Sequence, residues 1–149
     1  MHLRESVLVP ADPGNVARLY FDFAEDPRWR TAVSEMTPGT PGAAHPGQRV
    51  REVLTFRGTT YVTDMRLLDV TSRRVVFDGG GDDTRVHGVR SVADDGRGTL
   101  VTLELTIRLR GLRRVVEPVL GVMYRRLVRD DLSRLQSLLQ GSVVASEPA

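Results

Sequence analysis

Two ionisable residues stand in stretches whose other members read as one apolar face: Glu52 and Arg90. A carboxylate in apolar surroundings is a candidate general acid or base, and an arginine there can anchor an enolate or a carboxylate. Either charge alone costs several kcal/mol to bury, so the two invite pairing. The plainer reading of each is a salt bridge near a sheet rim.

Their placement follows from two hairpins. Taking Gly58-Thr59 as a two-residue turn puts Val50, Glu52, Leu54 and Phe56 on one face with Tyr61, Thr63, Met65 and Leu67. The opposite face carries Arg51, Val53, Asp64 and Arg66. The first set is the more apolar and is expected inward, with Glu52, Tyr61 and Thr63 as polar points in a greasy wall. Taking Asp95-Gly96 as the second turn pairs Arg90 with Val101 and Gly88 with Leu103. Val101, Leu103, Leu105, Ile107 and Leu109 alternate with Thr102, Glu104, Thr106 and Arg108, so the Val101 series faces the core and Arg90 goes with it. A one-residue change in loop length brings His87 inward instead.

Other chemistries find no support. His2, His45 and His87 are far apart and lack a carboxylate at metal-ligand spacing, and there is no cysteine. No metal and no cofactor is expected. There is no Gly-x-Ser-x-Gly, and Gly79-Gly80-Gly81 lacks the lysine and helix of a phosphate cradle. The 21 basic residues, all arginine, face 19 acidic ones, and aromatics make up 5%. The densest cluster, Arg110, Arg113, Arg114, Arg125, Arg126 and Arg129, is interleaved with Glu117, Asp130 and Asp131. It reads as a solvated helix face rather than a nucleic-acid stripe.

The 149 residues suit one domain. Residues 6–9 form a strand, Asp12-Pro13 starts a helix, and Asp26-Pro27 starts a short second helix carrying Trp29. Residues 38–47 are loop. Strands follow over 48–57, 60–70, 73–77, 86–92 and 99–109. Beyond Gly111 the period becomes helical: Val115, Val116, Val119, Leu120, Met123, Leu127, Leu132, Leu135, Leu138 and Leu139 form a broad stripe that begins near Pro118 and ends at Gly141. The expected architecture is α+β, a curved antiparallel sheet of six to seven strands wrapped around a long C-terminal helix. The domain spans 1–141, with a flexible tail over 142–149. No signal peptide or membrane span is read, so a cytoplasmic protein is expected.

This order, with Val9-Pro10-Ala11-Asp12-Pro13, Phe23-Ala24-Glu25-Asp26-Pro27-Arg28-Trp29, residues 69–77, Gly98-Thr99-Leu100-Val101-Thr102 and Asp131-Leu132-Ser133-Arg134-Leu135, resembles the START-like superfamily, in particular the polyketide cyclase/dehydrase and lipid transport group with the helix-grip fold. The resemblance implies an internal cavity for a hydrophobic small molecule. It also implies that Trp29 sits at the cavity mouth, beside the plainer reading of a core aromatic that packs the second helix on the sheet. Leu54, Phe56, Tyr61, Thr63, Met65, Leu103 and Leu105 are the expected wall, closed by Met123 and Tyr124 from the long helix. Aromatase/cyclases of this kind carry an inward arginine on the strand matching 60–70, whereas Arg66 here falls on the outer face. Three functions stay open: a binder of a lipid-like or polyketide-like metabolite, a cyclase or dehydratase using Glu52 and Arg90, and an interaction protein whose arginine-rich helix meets an acidic partner. A homodimer is compatible with each.

Overall fold

A computed structural model describes residues 1–40 and 42–146. Seven strands form one antiparallel sheet: β1 (His2–Val9), β2 (Val33–Pro38), β3 (Arg49–Phe56), β4 (Thr59–Val70), β5 (Arg74–Gly80), β6 (Thr84–Asp94) and β7 (Thr99–Leu109). Their spatial order is β1-β7-β6-β5-β4-β3-β2. From β2 to β7 the sheet is a meander of sequence neighbours, and β1 closes on β7. Helix α1 (Pro13–Tyr20) and a 3₁₀ turn (Phe23–Arg28) lie between β1 and β2. A second 3₁₀ segment (Gly111–Val116) leads into the long helix α2 (Glu117–Ser146). The curled sheet and the long helix together make the helix grip.

Asp12 caps α1 by accepting from the Asn15 backbone N–H, with Pro13 in the first turn. The second start signal resolves differently. Asp22, not Asp26, caps the 3₁₀ turn, by accepting from the Ala24 N–H, and Pro27 lies inside it. Asp26 is thereby released from capping and is fully buried. β2 falls in a stretch with no alternation to announce it.

Both hairpins differ from their expected registers by two residues, which preserves every face. In the β3–β4 hairpin Phe56 pairs with Thr59, Leu54 with Tyr61 and Glu52 with Thr63. The turn is Arg57-Gly58, both at positive φ (53° and 79°), as a type I′ turn demands. In the β6–β7 hairpin Val92 pairs with Val101 and Arg90 with Leu103, so the loop spans four residues, 95–98. Gly98 ends that loop at φ +154°, where a Cβ would stand 2.2 Å from the Val9 carbonyl oxygen. Only glycine lets this loop touch the end of β1. Arg90 faces inward, whereas His87 lies outside beside Asp78. A bulge in β4 falls between Leu67 and Asp69, past Arg66, so Arg66 keeps its outer position.

The core face of α2 is Tyr124, Val128, Leu132, Leu135 and Leu139, spaced by three and four. The expected stripe fails at its N-terminal end. Val115, Val116 and Val119 are exposed: the first two lie in the 3₁₀ segment, and Val119 is turned outward while Leu120 beside it lines the cavity. Nor does Gly141 end the helix, which runs on to Ser146. Of the expected tail, residues 147–149 lie outside the described residues.

Candidate functional site

Between the sheet and α2 lie two adjoining cavities. The outer one, about 60 Å³, is walled by Leu54, Phe56, Tyr61 and Thr63 of the β3–β4 hairpin, Val86 and Ile107 of β6 and β7, and Leu120 and Tyr124 of α2. The inner one, about 40 Å³, is bordered by Phe23, Arg30, Phe77, Arg90, Leu103 and Leu105 besides Glu52 and Tyr124. Glu52, Val86, Ile107 and Tyr124 border both. These side chains meet because inward positions on adjacent strands stand opposite one another, and Tyr124 is the first α2 residue fully turned toward the sheet.

Glu52, Leu54, Phe56, Tyr61, Thr63, Met65, Arg90, Leu103 and Leu105 of the strands and Tyr124 of α2 border these cavities. Two expected wall residues stand elsewhere. Trp29 is not at the mouth. It is 1% exposed and packs against Tyr20, ring centroids 5.9 Å apart, because the 3₁₀ turn tucks it beneath α1. Met123 is one step round the helix from Tyr124 and lines neither part.

Glu52 and Arg90 do not touch. They are the ends of a four-residue ionic chain. Arg90 donates from both terminal nitrogens to the Asp26 carboxylate, and its Nη1 also donates to the Tyr20 carbonyl at 2.7 Å. Arg30 Nη1 donates to Asp26 Oδ2 at 3.0 Å and to Glu52 Oε2 at 2.7 Å. Two arginines against two carboxylates leave the chain neutral, the condition under which buried charge is tolerated. The Arg90 guanidinium lies 4.0 Å above the Phe23 ring, with the Tyr20 and Trp29 rings at 5.3 and 5.4 Å. Its Nε has no hydrogen-bond partner.

Asp26 and Arg30 escape the sequence reading. Asp26 sits before a proline, where a capping role absorbs it. The i,i+4 spacing of Asp26 and Arg30 is the available signal.

Burial penalises the charge on Arg30, but Glu52, Tyr124 and Asp26 outweigh it and hold the guanidinium well above its usual range. Burial pushes the Tyr124 hydroxyl up to about 12 and raises that of Tyr20 further. Tyr124 is therefore a neutral phenol at physiological pH, beside Arg30 and edge-on to Phe56 (5.3 Å, 84°). In a spectroscopic phenolate titration, the difference between the parent protein and Tyr124→Phe is expected to be absent at pH 10 and to appear with a midpoint near 12. A signal at pH 10 would mean the site is open to water.

What the arrangement offers chemically is a largely apolar wall with a hydroxyl from Thr63, a phenol from Tyr124 and a carboxylate from Glu52. Arg30 holds Glu52 by Oε2, and Oε1 makes no hydrogen bond among the described residues. Among those residues no group of three or more His, Asp or Glu side chains is placed to hold a metal ion, and no helix is long and apolar enough to cross a membrane.

Residues 1–140 match the family described as polyketide cyclase / dehydrase and lipid transport. Among solved structures, the Zhui aromatase/cyclase from Streptomyces sp. R1128 superposes with a TM-score of 0.80 at 14% identity, covering 100% of this chain and 99% of that one. The protein TTHA0849 from Thermus thermophilus gives 0.78 at 22% identity, covering 99% and 100%. A START superfamily protein from Mycobacterium smegmatis gives 0.70 at 17%, covering 98% and 99%. At these identities the likeness is one of fold. No protein of curated function matches the chain.

Proposed function

Because the chain belongs to the polyketide cyclase/dehydrase and lipid transport family, we propose that it binds a hydrophobic small molecule, lipid-like or polyketide-like, between the sheet and α2. The observation that supports this reading is the pair of adjoining cavities between sheet and α2, mostly apolar in lining, with Glu52 and Tyr124 bordering both. Thr63 and Tyr124 supply hydroxyls to a ligand carbonyl, and the leucines and aromatics take up its hydrocarbon.

The two parts together are far smaller than the roughly 300–1,000 Å³ that encloses a drug-sized ligand. Binding on this reading requires the outer part to widen. The part of α2 that borders the outer cavity is Leu120 and Tyr124, and the exposed 3₁₀ segment 111–116 lies just before it. None of the residues of that 3₁₀ segment is buried, and Gly111 joins it to β7 at φ +64°.

Native mass spectrometry of the purified protein, compared with a denatured and extracted sample, tests the proposal. A discrete apolar molecule released on denaturation supports it. A protein that is empty and also fails to take up an environment-sensitive apolar dye, with Leu54→Trp giving the same null result as the parent, removes it.

A second reading is favoured by one specific observation, the unbonded Oε1 of a carboxylate at the centre of the cavity. Here Glu52 exchanges a proton with a polyketide-like intermediate while Tyr124 donates to the developing enolate, giving a cyclase or dehydratase without a metal. Arg90 then acts only at the far end of the ionic chain.

A further inference from the structure

The exposed apolar side chains of this protein are concentrated in one place. Leu112 (92% exposed), Val115 (81%), Val116 (47%), Val119 (62%) and Val122 (71%) are five of the seven exposed large hydrophobics among the described residues. They recur at three- and four-residue steps along the 3₁₀ segment and the start of α2, so they form a single ridge pointing away from the sheet. A contiguous apolar ridge on a soluble surface marks an interaction site more often than it marks an accident.

The ridge's own segment is rich in arginine, although Asp83 stands beside Arg110, whose backbone N–H donates to the Asp83 carbonyl. Between residues 108 and 129 the chain has seven arginines and a single acidic residue, Glu117. Glu117 is already occupied: the chain's amino group and the Leu109 backbone N–H both donate to it. Arg125 and Arg129 are engaged by Glu5. Arg110, Arg114 and Arg126 are exposed and form no ion pair among the described residues, and Arg113 lies 5.2 Å from the centre of the Tyr61 ring at the cavity mouth.

We propose that this ridge docks the protein peripherally on an anionic lipid bilayer, with Leu112, Val115, Val119 and Val122 entering the acyl boundary and Arg110, Arg114 and Arg126 meeting lipid phosphates and carboxylates. Aliphatic side chains flanked by unpaired arginines match the two layers of such an interface, apolar below and anionic above. A second copy of the chain fits worse, because symmetric docking sets arginine against arginine. The ridge is convex and aliphatic, without the aromatic anchors that concentrate binding energy between proteins. Its position is informative too. Leu120, next to Val119, lines the outer cavity, so docking there sets the cavity mouth against the bilayer.

The inference goes beyond the ligand proposal, and its test needs no ligand. Co-sedimentation of the full chain is measured with vesicles of phosphatidylcholine alone and with vesicles in which about a third of the lipid is phosphatidylserine. Binding is expected only to the anionic vesicles and is expected to fall steeply with salt. Two double variants report separately on charge and apolar insertion: Arg110→Glu/Arg114→Glu and Val115→Asp/Val119→Asp. All four positions are exposed, so both variants should melt as the parent does, and each should bind anionic vesicles at least roughly 10-fold more weakly. Equal binding to both vesicle types, parent-like binding by either variant, or no sedimentation at all overturns the proposal. So does a dimer that Val115→Asp/Val119→Asp converts to monomer, or capture by an acidic protein in place of vesicles. A failure here leaves the mass-spectrometric test of the cavity untouched.

Discussion

Asp26→Ala is expected to destabilise the protein by about 3–5 kcal/mol, the cost of leaving a buried charge without its partner. Asp26 is 0% and Arg90 2% exposed, and the carboxylate takes both terminal nitrogens of Arg90 besides Arg30. Removing it strands one guanidinium among three aromatic rings and loosens the second. For a domain of this length, each kcal/mol moves the unfolding midpoint by about 2–4 °C, so thermal melting followed by circular dichroism should show a large drop. The double variant Asp26→Leu/Arg90→Met removes both charges and fills their space. It should be more stable than Asp26→Ala alone, because no ion is left unpaired. A double variant worse than the single one would show that the pair contributes more than it costs to desolvate.

Glu52→Gln is expected to separate binding from chemistry. The amide oxygen of glutamine can still accept from Arg30, so the wall keeps its shape at the cost of one uncompensated positive charge in the chain, while the group that could exchange a proton is gone. If the protein turns its ligand over, the rate should fall roughly 10²–10⁴-fold, the usual worth of a positioned acid or base. Ligand affinity should change little. Single-turnover kinetics on whatever molecule co-purifies, together with dye displacement, reads both quantities. A loss of affinity with no conversion by the parent would identify Glu52 as a binding group and leave the carrier reading alone.

Much of this site is legible in the sequence because strand alternation is robust to small errors. The β3–β4 and β6–β7 turns each lie slightly off their expected positions, yet both differences shift the pairing by two residues, an even number. Glu52, Thr63 and Arg90 therefore keep their side of the sheet. An odd shift would have turned His87 inward and Arg90 out. The missed parts have different causes. Asp26 and Arg30 belong to a 3₁₀ turn and its exit, whose spacing carries no apolar period to mark a buried face. Trp29 follows that turn downward, and nothing local distinguishes a tryptophan beneath α1 from one at a cavity mouth. The outward face of Val115, Val116 and Val119 is hidden for a related reason. Their spacing is helical and apolar, but periodicity reports that a stripe exists, not what covers it.

The closure of β1 on β7 has a consequence for how the chain reaches this structure. Every other strand pair joins sequence neighbours, whereas Val9 meets Thr99 and His2 meets Thr106, partners about 90–100 residues apart. Closing so long a loop costs about 2–3 kcal/mol more than closing a four-residue hairpin, since the penalty grows with the logarithm of length. The meander can assemble from local contacts, and β1 is then the last strand to dock. Until it does, β7 presents an unpaired edge of eleven residues, open to the first strand of any neighbouring chain.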